Sequence, residues 1–204
     1  PSANTGWYIR GDSATLKRST LIEYKFQTPG DANTIFLTGR EWDIPAGEYA
    51  YASTWQNSGQ YLFVISRNTK KVYRHTASTP YDIGTFSAEY QEFSILSEEG
   101  NPVGIAFNNT GSKMYGSGYN DDGVNEYTLT ANWDLDTASY SSGPHLVISG
   151  QDARDFQFNN DGTKAYYISY GTDNVYEWSL GTAYDTSSNT ADPVTFSIGT
   201  EDPT

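Results

Sequence analysis

The 204-residue chain repeats itself four times at intervals of 51 to 53 residues. A chain with that period builds its core from one supersecondary unit copied in tandem. The clearest landmark aligns without a gap: LIEYKFQTPGDANT (21–34), VYRHTASTPYDIGT (72–85), VNEYTLTANWDLDT (124–137) and VYEWSLGTAYDTSS (175–188), at spacings of 51, 52 and 51. A glycine ends a short polar run in each unit, at Gly6, Gly59, Gly111 and Gly162. A third landmark is a three-residue apolar run at 35–37, 93–95, 146–148 and 196–198.

Each unit reads as four short strands. The first ends just before the glycine turn. The second carries an aromatic at a matching place: Tyr8, Phe63, Tyr115 and Tyr166. The third alternates large residues, as in Tyr24 and Phe26, His75 and Ala77, Tyr127 and Leu129, Trp178 and Leu180. Alternation of period two places each pair on one face of a half-buried strand. The fourth strand is the short apolar run.

Asn, Asp and Gly tolerate the positive φ of tight hairpins, so the Asn-x-Gly segments are expected to join the first two strands. A phosphate loop would need a helix and a Lys-Ser/Thr pair after the glycine. A calcium loop would need acidic ligands at alternating positions and a distal glutamate. Neither pattern is present. Asp31, Asp82, Asp134 and Asp185 recur after the third strand and read as turn residues that bond their own backbone.

Composition agrees with an all-β chain: seventeen tyrosines and nineteen glycines stand in a sequence only 36% apolar. No apolar helical rhythm is visible. The net charge of −13 points away from nucleic acid, because phosphate neutralisation needs clustered Lys and Arg. The charge is uneven, with nine basic against eleven acidic groups in residues 1–100 and three against fourteen in residues 101–204. Cysteine is absent, which removes disulfides and thiolate metal sites. No apolar run has membrane length, so no membrane insertion is expected. No cofactor is expected either, since phosphate-loop, His-cluster and nucleophile-elbow patterns are all missing.

Four tandem units of four strands are expected to form a single β-propeller domain over 1–204, with blades at about 1–50, 51–102, 103–153 and 154–204. The termini, PSANTG and TEDPT, together imitate the junction SEEGNPVGIAFNNTG but lack most of a first strand. Four blades therefore either close on themselves or form part of a larger ring, for example half of an eight-bladed ring completed by a second copy.

The pattern F-N-x-D/T-G-x-K-x-Y, then V-x-E-Y/W-x-L, then W/Y-D-x-x-T, resembles the tandem blades of bacterial surface-layer and NHL-type propellers. It is still more similar to repeats of predicted phage fibre and appendage proteins. That resemblance implies a non-catalytic structural or adhesive module in an extracellular or virion-associated assembly, with other subunits or copies of itself as partners and surface glycans as a further class. A carbohydrate-binding propeller and a propeller glycoside hydrolase are the alternatives.

Specificity is expected in loops that differ between units, on the face shared by the connections between the second and third strands and between successive blades. Trp42, Tyr119, Asn120, Asp121, Asp122, Tyr170, Asp173 and Asn174 are the binding candidates there, because flat rings beside amides and acids suit sugars. For two-carboxylate chemistry, loop position offers Glu41, Asp43, Glu98, Glu99, Asp152 and Asp155.

Overall fold

The computed structural model describes residues 5–11, 19–44, 50–119, 123–147, 153–190 and 192–199. These form four antiparallel sheets, each a meander, arranged as a four-bladed β-propeller. Sheet 1 contains β1 (Thr5–Gly11), β2 (Ser19–Phe26) and β3 (Ile35–Asp43). Sheet 2 contains β4 (Ala50–Gln56), β5 (Tyr61–Ser66), β6 (Lys71–Ala77) and β7 (Phe86–Ser94). Sheet 3 contains β8 (Pro102–Phe107), β9 (Lys113–Gly118), β10 (Val124–Leu129) and β11 (Ala138–His145). Sheet 4 contains β12 (Ala153–Phe158), β13 (Lys164–Ser169), β14 (Asn174–Ser179) and β15 (Val194–Ser197).

The expectation of four strands per blade holds for three sheets. Among the described residues sheet 1 has three strands and no inner strand before β1. The strand register also corrects the alignment of the first unit. Leu62 stands opposite His75, Met114 opposite Tyr127 and Ala165 opposite Trp178, and the equivalent partner of Tyr24 is Gly6. Gly6 is thus a strand residue, and Trp7, not Tyr8, corresponds to Phe63, Tyr115 and Tyr166. Gly6 is small for a packing reason, since a Cβ there would lie 2.3 Å from the Tyr24 ring.

The fourth strands begin earlier than the short apolar runs suggest. In sheet 1 the run at 35–37 opens β3, and Trp42 further along stands opposite Leu21, as Phe93 stands opposite Val72 and Phe196 opposite Val175.

The three true turn glycines share one device. Gly59, Gly111 and Gly162 have φ of +88°, +73° and +73°, and an ideal Cβ on each would stand 2.3, 2.1 and 2.3 Å from the rings of Tyr81, Trp133 and Tyr184. Each glycine carbonyl accepts a hydrogen bond from the backbone N–H of that same aromatic residue, at 2.8, 2.9 and 2.9 Å. The aromatic itself sits at positive φ (62°, 65° and 59°). Immediately after it, Asp82, Asp134 and Asp185 accept a hydrogen bond from the backbone N–H two residues on. Asp31 does the same behind Gly30, whose ideal Cβ has nothing within 4 Å, so no ring is packed on it. The recurrent aspartates are turn residues, as their spacing suggested.

Apolar residues between neighbouring sheets form the core. Leu21 of sheet 1 meets Leu62, Val64 and Ile83 of sheet 2. Phe63, Ile65 and Val72 meet Met114, Tyr127 and Leu135 of sheet 3. Tyr115 and Val124 meet Ala165, Trp178 and Leu180 of sheet 4. Each fully buried side chain of this size contributes roughly 1.5–3 kcal/mol, so one blade depends on its neighbours for stability.

Candidate functional site

A cavity of about 430 Å³ lies between β1, β4, β8 and β12, with walls drawn from all four sheets. The residues aimed into it follow from a shared irregularity. β4, β8 and β12 each carry a register shift at the start, between Ala50 and Ala52, between Pro102 and Gly104, and between Ala153 and Asp155. The extra residue in each is Tyr51, Val103 and Arg154, and all three line the cavity. A bulge turns a side chain out of the regular alternation, which here points it to the propeller axis.

The next position is equally informative. Ala52, Gly104 and Asp155 are register equivalents, facing Ile65, Ser117 and Ile168 across their ladders. Two sheets place the smallest residues there. Gly104 has no room for more, since a Cβ would sit 2.3 Å from Ser117 Oγ and 3.4 Å from the Asp155 backbone. Sheet 4 alone places a carboxylate at this position, in the cavity wall beside Gln157. The Asp155 carboxylate accepts a hydrogen bond from the Phe156 N–H at 2.8 Å. Removal from water raises its pKa above the ordinary carboxylate value, only partly offset by the hydrogen bonds from Phe156 and the Gln157 side chain.

Two of the lining residues, Tyr51 and Arg154, belong to a ladder of rings and guanidiniums. Arg67 lies 5.3 Å from the centroid of the Tyr51 ring and 4.7 Å from that of Tyr119. Arg154 lies 4.3 Å from the Tyr119 ring and 4.5 Å from the Tyr170 ring. The order Tyr51, Arg67, Tyr119, Arg154, Tyr170 spans sheets 2 to 4. Such stacking is electrostatic attraction of a cation to the ring quadrupole, and each contact is worth about 0.5–2 kcal/mol. Hydrogen bonds fix the geometry: Arg67 donates to the Tyr51 hydroxyl at 2.9 Å and to Asn101 at 3.2 Å, and Arg154 donates to the Tyr119 hydroxyl. Burial raises the Tyr119 phenol, and its hydrogen bond with Tyr51 adds to this. At Tyr51 burial acts in the same sense but is outweighed by the hydrogen bonds, from Arg67 first, so its phenol lies below the ordinary value.

Of the residues singled out from sequence, Tyr119 and Tyr170 meet here, joined through Arg154. Trp42 does not. It is a strand residue packed 4.6 Å from His75 and 4.6 Å from Phe86 at the first blade junction, because the segment that reads as a loop continues β3. Asn120, Asp121 and Asp122 lie outside the described residues. Asp173 holds a tight turn at φ 53°, its carbonyl accepting from Ile198 at 2.7 Å, and Asn174 reaches the Tyr176 hydroxyl at 3.3 Å. Among the carboxylate candidates, Glu41 pairs with Arg10 at 3.2 Å and Asp43 accepts from Thr20 at 2.9 Å. Glu99 is buried and accepts from the Asn101 N–H at 2.6 Å. Asp152 lies outside the described residues, and Asp155 alone lines the cavity.

The sequence matches no family model and no curated protein, so the likeness to NHL-type and phage appendage repeats remains one of pattern. Solved structures do match. A Bacteroides fragilis protein provisionally described as a 6-phosphogluconolactonase superposes with TM-score 0.60 at 13% identity, over 94% of this chain and 51% of that one. The periplasmic gluconolactonase of Pseudomonas aeruginosa gives 0.59 at 12%, over 96% and 54%. A β-propeller domain from Myceliophteria thermophila gives 0.51 at 9%, over 89% and 56%. At these identities the likeness establishes the propeller fold, and the chain spans about half the length of the proteins it matches. It also overturns the expectation of a non-catalytic structural or adhesive module of a phage fibre or surface appendage. Propellers matched over nearly the whole chain carry the names of lactonases, which are enzymes.

Proposed function

We propose that the chain is a hydrolytic propeller that opens a small polar cyclic ester, a sugar lactone, in this cavity. The observation that carries this reading is Asp155, a partly desolvated carboxylate placed where equivalent strands have Ala52 and Gly104, in a cavity of about 430 Å³ that Arg154 also lines. A cavity of that size suits a single sugar ring.

The chemistry follows from these two groups. Ionised Asp155, made more basic by its partial burial, takes a proton from a water molecule. The oxygen of that water bonds to the ester carbonyl carbon, and the carbonyl π pair moves to its oxygen. Arg154 stabilises this oxyanion in a site of low dielectric. The bond from carbon to the ring oxygen then breaks, and the ring oxygen recovers the proton from Asp155. The product is an open-chain hydroxy acid. Tyr51, held by Arg67, forms one wall against which the sugar ring packs.

The test is gluconolactone hydrolysis, followed as acid release above the spontaneous rate. The wild-type chain is expected to be active, and Asp155→Asn to be at least about 100-fold slower, the usual scale of general-base loss. Wild-type chain with no activity, or an Asp155→Asn variant with full activity, would refute the assignment.

A further inference from the structure

We propose that two copies of this chain join head to tail, the free face of sheet 4 in one copy packing on the free face of sheet 1 in the other. This is independent of the catalytic reading.

The argument compares equivalent residues. Every described blade junction pairs the forward face of one sheet with the rear face of the next. The forward face of sheet 2 buries Ile65 and Val72 completely, at 0% and 1% exposure. Their equivalents on sheet 4 are Ile168, 39% exposed, and the half-buried Val175, and Phe196 opposite Val175 is 66% exposed. The rear face of sheet 1 is in the same condition. Val64 of sheet 2 is fully buried, whereas its equivalent Tyr8 is 42% exposed, and Ile35 and Leu37 are 47% and 59% exposed. No apolar cluster joins sheet 4 to sheet 1 among the described residues, although one exists at each of the other three junctions.

A polar marker repeats the pattern. On the forward face of sheet 3, Lys113 and Glu126 form a 2.7 Å ion pair that sheet 4 covers, with Thr186 donating to Glu126 and Lys113 reaching the Tyr184 carbonyl. On sheet 4 the equivalent pair, Lys164 and Glu177, at 2.5 Å, stands partly open to solvent.

The occupant these two faces fit is a second copy. The forward face of sheet 4 has the composition that this chain elsewhere matches with its own rear faces, and the one unmatched rear face in the described structure belongs to sheet 1. The chain superposes in nearly full length on about half of longer propellers, so two copies related by a twofold axis supply a whole ring with two identical new junctions.

The first measurement is the solution mass by light scattering at micromolar concentration. Twice 22.6 kDa is expected for the wild-type chain, and half that mass for Phe196→Glu, whose side chain is exposed in the monomer. A wild-type monomer, or a Phe196→Glu dimer, overturns the proposal. Because the chain has no cysteine, cross-linking then gives the orientation. At the second junction Phe93 touches Tyr127 with ring centroids 5.6 Å apart, and the equivalent pair across the new junction is Phe196 with Tyr24. Phe196→Cys mixed with Tyr24→Cys should give a cross-linked dimer with a short bismaleimide. Cross-linking of Phe196→Cys to itself, or within a single chain carrying both substitutions, overturns the head-to-tail arrangement.

Discussion

The indole of Trp133 fills the space that a side chain on Gly111 would need, so that an ideal Cβ on the glycine would stand 2.1 Å from the ring. The Trp133 N–H also donates to the Gly111 carbonyl at 2.9 Å, and both residues hold positive φ. One turn of the first hairpin is thereby clamped to the loop after the third strand, and the same clamp recurs at Gly59 with Tyr81 and at Gly162 with Tyr184.

Gly111→Ala should therefore cost roughly 2–4 kcal/mol, from left-handed backbone strain plus displacement of a packed ring. Gly30→Ala separates the two causes. Gly30 has φ of +77° but nothing within 4 Å of its ideal Cβ, so only the backbone strain of about 1–2 kcal/mol applies. Urea unfolding of the two variants checks this. Equal losses would mean that the ring clamp contributes nothing.

The clamp also explains which parts of the fold could be read from sequence. The landmark from the third strand to the aspartate turn aligned correctly because strand, clamp and Asp turn are one rigid unit without insertions. In the first blade Asn4-Thr5-Gly6 imitates a turn, and the residue that tells otherwise, Gly30 where the other units have a clamping aromatic, lies 24 residues away. Trp42 was assigned to a loop because the polar residues around it hide a long edge strand. The site was harder still. A bulge has no residue signature of its own, so the sequence does not single out Tyr51 or Arg154. The available signal was a departure from the repeat: at positions 52, 104 and 155 the units read Ala, Gly and Asp.

Stability should fall as acid protonates the unfolded chain at His75. This imidazole is buried against Trp42, Phe86 and Tyr90, and burial lowers its pKa from 6.5 to about 4. Between those values the unfolded chain binds the proton and the folded chain does not, so this contribution is lost as pH falls from about 6.5 towards about 4. Its full size is about 3 kcal/mol, from 1.36 kcal/mol per pKa unit. His75→Tyr, the residue type that Tyr24 and Tyr127 supply at equivalent positions, should flatten the pH dependence in this window. Unfolding midpoints at pH 7 and pH 4.5 measure it. An unchanged slope in the variant would assign the effect to other groups.

Tyr119 is gripped between two guanidiniums, and its ring, more than its hydroxyl, should carry the interaction. Tyr119→Phe keeps both stacked faces and loses the hydrogen bond from Arg154, at a cost of about 1 kcal/mol. Tyr119→Leu removes the stacking as well and should cost about 1–2 kcal/mol more. If the two variants lose equal stability by urea titration, the ladder is held by hydrogen bonds alone.

Asp155 links stability to activity in opposite senses. Its pKa is raised in the folded chain by loss of water, so above the ordinary carboxylate range the folded protein holds this proton more tightly than the unfolded one. Folding stability from this group therefore falls as pH rises through the raised value, and at neutral pH the ionised carboxylate is a net cost. Asp155→Asn should remove that cost and raise the unfolding midpoint at pH 7, with little effect at pH 3.5, where both states of the wild-type group are largely protonated. The same substitution should abolish lactone opening, and the wild-type rate should climb with pH as Asp155 ionises. A carboxylate kept only for structure would behave otherwise: its replacement would destabilise the fold at pH 7 and leave turnover intact. Thermal melts at the two pH values, set beside the acid-release assay, decide between a group held ready for chemistry and one that merely completes the wall.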